Sequence, residues 1–412
     1  MRPSKSSERL PLYRFKADIP RWIRALKGRA RGGLLNLGRK LGRLGVPPSW
    51  LGYRWVQTET LQQYLDRKGR SLDEARCETV QPEGIAENPL PRNVDSQDEL
   101  PKERGWWGYS FWNVPERTSG ATVIATLLDC YVVPYIDPEE EFWVGVLNAD
   151  GRALKIREFH FRVGHAEVMR SSLPVKVQRA TWVIERVYHN YSHWLTAHLP
   201  KLLLLKSRDM LDDVLLPPDR PAFVDDSMRA VGIEPEQFAT FDPSRPLRVA
   251  ELTVLETDRF RPELLRSVRE AVVNKAERQP WRRLYVSRAK ASRRRLLNED
   301  ELWPLLEQAG FERVFLEDHP FDAQVRLMQE AAVVVAPHGA GLTNVMFCAP
   351  GTGVVEIADL SFPNPNFYAV ASAAGLRYAI VEAEGVGDVH PLEKDLRVDV
   401  AAVSNALECI LS

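Results

Sequence analysis

The sequence predicts an α/β protein of two domains, and three observations carry that reading. From Thr181 onward, short apolar runs alternate with longer stretches of helical spacing. A proline-marked interval, Phe241–Pro246, divides this alternation into two sets. The stretch Ala331–Ile357, AAVVVAPHGAGLTNVMFCAPGTGVVEI, sets a strand, a glycine loop, a helix and a second strand within 27 residues.

Residues 1–50 hold thirteen Lys/Arg against Glu8 and Asp18, a net +11, so the remainder of the chain carries −12. Ile19, Trp22, Ile23, Leu26, Leu34, Leu37, Leu41 and Leu44 recur at helical spacing among the arginines. That pattern suits contact with an anionic membrane surface through residues 19–44. Gly28, Gly32, Gly33, Gly38 and Gly42 weaken it as a helix, and a solvated basic arm is the alternative. Aromatics are not interleaved apart from Trp22, which argues against nucleic acid. No apolar h-region follows the basic residues and no apolar run reaches spanning length. The expected location is cytoplasmic, peripheral on the inner face of the cell membrane where the arm engages it.

Residues 51–120 are polar and proline-containing. Their cluster Trp106, Trp107, Tyr109, Phe111 and Trp112 reads either as core packing or as a platform for pyranose rings. Ala121–Leu128, Tyr131–Val133, Phe142–Leu147 and Ala153–Ile156 read as strands, a small β section at the front of the first domain. The first alternating set is strand Thr181–Arg186, helix Leu195–Lys206, strand Asp213–Leu216 and helix Pro221–Val231, closed by Gly232. The second opens with strand Arg248–Leu255, helix Pro262–Ala276 and strand Leu284–Ser287. Helix Glu299–Gln308 follows, opened by an Asn298/Glu301 capping box and closed by Gly310, then Val314–Leu316 and a helix near Asp322–Ala332. The expected divisions are a basic arm at 1–50, an α/β domain at 51–242 and a second at 243–412. The hydrophobic fraction of 44% and charged fraction of 27% are those of a soluble globular protein. Four scattered cysteines without metal spacing read as free thiols.

Three segments carry the candidate chemistry. Val333–Val335 is a buried parallel strand running into Pro337-His338-Gly339-Ala340-Gly341, whose small residues let a ligand lie against the backbone. Unpaired amides at a following helix start favour an anion, His338 offers a donor, and Glu356 ends the next strand where a ribose diol would bind. A nucleotide-diphosphate pocket is the functional reading; a ligand-free turn is the alternative. Gly339, Gly341 and Asn344 lack the third glycine of a dinucleotide fingerprint, and there is no G-K-[ST]. In Tyr285–Leu302, Arg288, Lys290, Arg293, Arg294 and Arg295 crowd a strand's carboxyl end, where arginine forks match phosphate oxygens. In Tyr188–Leu205, His193 falls in a first helical turn, where the dipole keeps imidazole neutral and fit to take a proton. His189 and His198 compete for that role, and three histidines without carboxylates make a poor metal site.

The run S-R-x-x-A-x-x-R-R from Ser287 to Arg295, then Asn298-Glu299, PHGAGLTN from Pro337 and Val354–Ile357 resemble the family 61 glycosyltransferases. That family includes bacterial capsule and lipopolysaccharide enzymes, plant arabinoxylan transferases and animal O-linked N-acetylglucosamine transferases. Asn190–Leu195, N-Y-x-H-W-L, resembles an upstream motif of the same family. The resemblance covers 181–380 and implies a GT-B fold, two Rossmann-like domains facing a cleft. It implies a nucleotide-sugar donor, a glycan or glycolipid acceptor and inversion at the anomeric carbon. Carried over by position, Asn190, Arg288 and Arg294 or Arg295 bind the donor, with His338, Gly339, Ala340, Gly341, Leu342, Thr343 and Asn344 as the cradle. Glu356 holds the ribose, and His193 is the base. No D-x-D stands in a suitable context, so no cofactor is expected and turnover is expected to be metal-independent. A nicotinamide-dependent oxidoreductase fits poorly, because its glycine loop belongs near the N-terminus. A catalytically silent glycan- or partner-binding protein is the alternative from another class.

Overall fold

The computed structural model describes residues 57–68, 75–105, 108–138, 140–157, 159–273 and 280–412. The basic arm and the Trp106-Trp107 pair lie outside them. Strand β1 (Thr58–Thr60) leads into helix α1 (Leu61–Lys68), followed by β2 (Ala75–Gln81) and the antiparallel pair β3 (Gly84–Glu87) and β4 (Glu116–Ser119). The long strand β5 (Thr122–Ile136) merges the two expected strands at 121–133. Asp129 is in the left-handed region at φ 48° within it, its carboxylate held by both Arg248 donors at 2.8 and 2.9 Å. β6 (Phe142–Leu147), β7 (Ala153–Lys155), helix α2 (Val163–Ser171) and β8 (Val175–Trp182) follow.

Next comes an irregular helix, α3, built of Tyr191–His193, a π-turn at Trp194–His198 and Leu199–Lys206. After it come β9 (Leu215–Leu216), α4 (Ala222–Ala230), β10 (Ala239–Thr240) and β11 (Leu247–Glu256). The first sheet runs β1-β7-β6-β5-β11-β8, with β2 also on β5. β5 is antiparallel to β2, β6 and β11, and only β11–β8 and β1–β7 are parallel.

Two expectations change here. The first sheet is mixed and mostly antiparallel, not a Rossmann-like sheet. The second alternating set was expected to begin at 243, but β11 lies inside the first sheet. Its Leu247, Val249, Leu252 and Val254 are buried, and that apolar run is satisfied only between two neighbours. The change of sheet therefore falls after Glu256.

Helix α5 (Pro262–Val272) leads to the second sheet: β12 (Arg282–Val286), α6 (Glu299–Gln308), β13 (Phe311–Val314), α7 (Phe321–Glu330), β14 (Ala331–Pro337), a 3₁₀ turn at Ala340–Phe347, β15 (Gly353–Ala358), α8 (Asn366–Ala373), β16 (Arg377–Val386), β17 (Asp395–Val398) and α9 (Val400–Leu411). The order is β13-β12-β14-β15-β16-β17, parallel through β16 with β17 antiparallel. One face is buried against Leu302 and Leu306 of α6 and Val403, Leu407 and Ile410 of α9. The other joins the core of the first sheet through α7, the 340–347 turn and α8. Gly310 closes α6 at φ +76°, as expected. Asn298 does not cap it: its amide instead donates to the Val398 carbonyl at 2.9 Å and accepts from the Val398 N–H at 3.1 Å, fixing the end of β17.

The chain moves from β12 outward to β13 and then across to β14, so the order reverses between β12 and β14. A crevice opens at the carboxyl ends of strands at such a reversal. The first half is bonded to the second around it. Tyr191 Oη donates to Asn344 Oδ1 at 2.5 Å and Tyr109 Oη to Asn366 Oδ1 at 3.0 Å. Asn93 makes both amide bonds to Ile380 along β16, at 2.7 and 3.1 Å. No helix among the described residues is long and apolar enough to cross a membrane.

Candidate active site

The loops after β12 and β14 meet at the reversal. Gly339 is extended, and a Cβ built on it would lie 2.0 Å from Arg288 Nη1. Only glycine lets the guanidinium lie flat on this backbone. The Arg288 side chain is held from behind, donating to the carbonyls of Arg294 at 3.1 Å and Arg293 at 2.9 Å. Arg294, in the left-handed region at φ 56°, has a buried Nε with no partner. Burial lowers the pKa of both groups. The charges of Arg288 and Arg293 help bring Arg294 to about 10, against the pull of Glu356. Neither guanidinium has an ion pair among the described residues. Two half-buried cations that weaken one another await an anion.

The neighbouring charges are already engaged. Arg295 is clamped on Asp395 at 2.5 and 3.1 Å, Arg293 meets Glu393 at 3.3 Å and Lys290 pairs with Asp318. Of the two arginines left open by the sequence, Arg295 is engaged at the surface and Arg294 is the half-buried one coupled to Arg288. Leu342, Thr343 and Asn344 are buried, and Thr343 Oγ1 has no hydrogen-bond partner. Asn344 accepts from Tyr191 and donates to Gln324 at 3.0 Å, which makes it a brace between the halves. The segment after the loop is a 3₁₀ turn, whose dipoles align poorly, so charge rather than a helix terminus makes this site attractive to anions.

Glu356 does not face the crevice. It is 0% exposed; one oxygen pairs with His338 Nδ1 and the other accepts from Tyr378 Oη at 2.7 Å. Glu356 thus fixes the His338 imidazole through Nδ1, so Nε2 is the nitrogen it does not engage. That nitrogen donates only in the imidazolium form. Burial opposes protonation, Glu356 favours it, and Arg294 and Arg288 oppose it again. Phe367 packs on the imidazole at 4.9 Å, and Tyr368 stacks on Tyr378 at 5.0 Å, which gives the Asn364–Tyr368 loop its place as a brace. A second carboxylate, Asp359, stands just beyond β15: its Oδ1 accepts from Ser361, and its Oδ2 is buried against Gly385 without a hydrogen-bond partner. Sequence reasoning passed over it because Glu356 sits in the apolar run that drew the eye.

On the first half, Asn190 Oδ1 accepts from the His193 N–H at 3.2 Å, so Asn190 caps α3. Arg259, missed from sequence, holds this turn together. It donates to Thr196 Oγ1 at 2.6 Å and Ser192 Oγ at 2.9 Å, and its Nη1 lies 3.1 Å from His193 Nε2. A guanidinium only donates, so Nε2 accepts and the ring proton sits on Nδ1. Burial and then the Arg259 charge hold the His193 pKa well below its usual value. The acceptor nitrogen of His193 is therefore engaged by Arg259. The signal for Arg259 was the same as for Arg288: a basic residue just past a buried strand. His198 is internal, its Nε2 accepting from the Glu185 N–H at 3.0 Å, and burial lowers its pKa to about 3.

The fold and these contacts define an α/β protein with Arg288 and Arg294 beside a glycine loop at a strand-order reversal, the place where open α/β sheets bind ligands. Residues 191–355 match the family described as Glycosyltransferase 61, so the resemblance read from the motifs holds over this stretch. The chain is 33% identical over 97 residues to a beta-1,2-xylosyltransferase of Arabidopsis thaliana, covering 20% of this chain and 18% of that protein. It is 33% identical over 107 residues to the EGF domain-specific O-linked N-acetylglucosamine transferase of Drosophila melanogaster, covering 25% and 20%. It is 37% identical over 83 residues to protein O-linked-mannose beta-1,4-N-acetylglucosaminyltransferase 2 of Bos taurus, covering 19% and 14%. The matched segments thus span a fifth or less of these relatives' own lengths.

Proposed function

We propose that this protein is an inverting glycosyltransferase, moving a sugar from a nucleotide-sugar donor to a glycan or glycolipid hydroxyl in surface polysaccharide biosynthesis. The carrying observation is the Arg288 guanidinium against Gly339 with the half-buried Arg294 coupled to it, neither ion-paired among the described residues. The second half takes the donor diphosphate there, and Asp359 is offered to the ribose in place of Glu356. The first half presents the acceptor across the crevice. Negative charge growing on the departing diphosphate meets two fixed guanidiniums, which supports turnover without a metal. The arm at 19–44 serves as the contact with the cytoplasmic membrane face.

The test is a thermal-shift and calorimetry screen against UDP, GDP, CMP, ADP and dTDP, with NAD as control, with and without EDTA. A ligand present far above its Kd raises Tm by mass action. One nucleotide stabilising the protein equally in EDTA is the expected result. Stabilisation by NAD alone would overturn the reading, and activity lost in EDTA but restored by Mn²⁺ would remove its metal-independent part. Nucleotide binding without turnover of any sugar form would favour the silent binding protein. Gly339→Ala supplies a second check, since its methyl group displaces Arg288. Loss of a charged hydrogen bond costs about 1.5–3 kcal/mol, so calorimetry should show nucleotide affinity falling roughly 10- to 100-fold with Tm little changed.

A further inference from the structure

We infer that Glu256 is the group that takes the proton from the acceptor hydroxyl, a role that rests on the transfer reading above. β8 and β11 run parallel with Val254 opposite Trp182, so Glu256, the last residue of β11, is level with the residues just beyond β8. Two carboxylates, Glu185 and Glu256, thus stand near the carboxyl ends of neighbouring strands. Their surroundings differ. Glu185 is 2% exposed and tied to Lys201 and, at 3.3 Å, to Arg157. Glu256 is half-buried, and its carboxylate makes no hydrogen bond or ion pair with the described residues.

The groups whose charges act on Glu256 are Arg157, which donates to the adjacent Thr257 carbonyl at 2.9 Å, and Lys201. Burial raises the Glu256 pKa and these two cations restrain it; Glu185 is driven the other way, to about 2, because Arg157 and Lys201 outweigh its burial. Two carboxyl groups separated in this way mark a division between a structural anion and a base. Three residues beyond Glu256, Arg259 occupies His193 Nε2, while Tyr191 of the same turn is bonded to Asn344 behind the glycine loop. Glu256 therefore stands at the strand ends that lead into this turn, its carboxylate without a hydrogen bond or ion pair among the described residues, where His193 Nε2 is taken by Arg259.

In the step, the Glu256 carboxylate accepts the hydroxyl proton and the acceptor oxygen bonds to the anomeric carbon. The bond from that carbon to the diphosphate breaks, its electron pair leaving with the nucleoside diphosphate. The carboxylic acid then returns its proton to water.

The experiment compares wild type with E256Q, using UDP-xylose, UDP-N-acetylglucosamine and GDP-mannose with water as acceptor, and nucleotide Kd by calorimetry. Expected is a fall in kcat of about 10²–10⁴-fold, with nucleotide Kd within twofold. The acid limb of the wild-type kcat–pH profile should also vanish. Turnover within threefold of wild type, or a loss matched by lost nucleotide affinity, overturns the assignment alone. Wild-type protein that binds no nucleotide removes the transfer reading and the base with it. Carbon-13 NMR of the Glu256 carboxyl, assigned by E256Q, needs no donor. Titration above the usual carboxylate range supports the role, and titration at or below about 4.3 overturns it.

Discussion

Arg288→Ala is expected to lower turnover by about 10²–10³-fold while the protein stays folded. One preorganised donor to a developing oxyanion is worth about 2.7–4 kcal/mol of barrier, and Arg288 presents a fork already held by the Arg293 and Arg294 carbonyls. The burial that lowers its pKa is already part of the fold, so the charge needs little further desolvation when a diphosphate arrives. Arg288→Lys should recover little, since an ammonium cannot span the same two carbonyls and the ligand. Arg295→Ala is the contrast. Its guanidinium is spent on Asp395 at the surface, and turnover should stay within about threefold, because exposed pairs contribute little. Steady-state kinetics on the three variants decide this. An Arg295→Ala loss as deep as that of Arg288→Ala would return Arg295 to the cradle and break the geometric distinction between them.

That distinction marks where sequence reasoning stopped. The strand, the glycine loop and the arginine after β12 were legible because parallel strands read as apolar runs and only small residues admit a ligand to the backbone. Which of three consecutive arginines turns inward was not legible. It depends on a left-handed residue at Arg294 and on Asp395 waiting across the chain to take Arg295. Glu356 misled for the opposite reason: a carboxylate ending an apolar run looks like a ligand, yet its partners His338 and Tyr378 lie 18 and 22 residues away. β11 went to the wrong half because a proline-marked gap resembles a boundary, whereas its pairing is decided by β5 and β8, more than sixty residues earlier.

The buried ion cluster beneath the site yields the second large effect. Lys201 and Glu185 are 1% and 2% exposed, with Arg157 at 3.3 Å from the same carboxylate. Lys201→Met leaves that carboxylate buried with half its compensation gone, and breaking a buried pair costs about 3–5 kcal/mol. Denaturant unfolding at pH 7 should show a loss of that size. The double variant E185Q/K201M should recover much of it, because the cost lies in the uncompensated charge rather than in the missing pair. The pH dependence has a definite sign. Glu185 is lowered to about 2 in the folded protein against about 4.3 unfolded, so its contribution is present in full above the unfolded value. It is lost as pH falls from there towards 2. The wild-type advantage over E185Q should therefore hold at pH 7 and shrink by pH 3. An advantage unchanged at pH 3 would mean that the Glu185 charge is not what stabilises this layer.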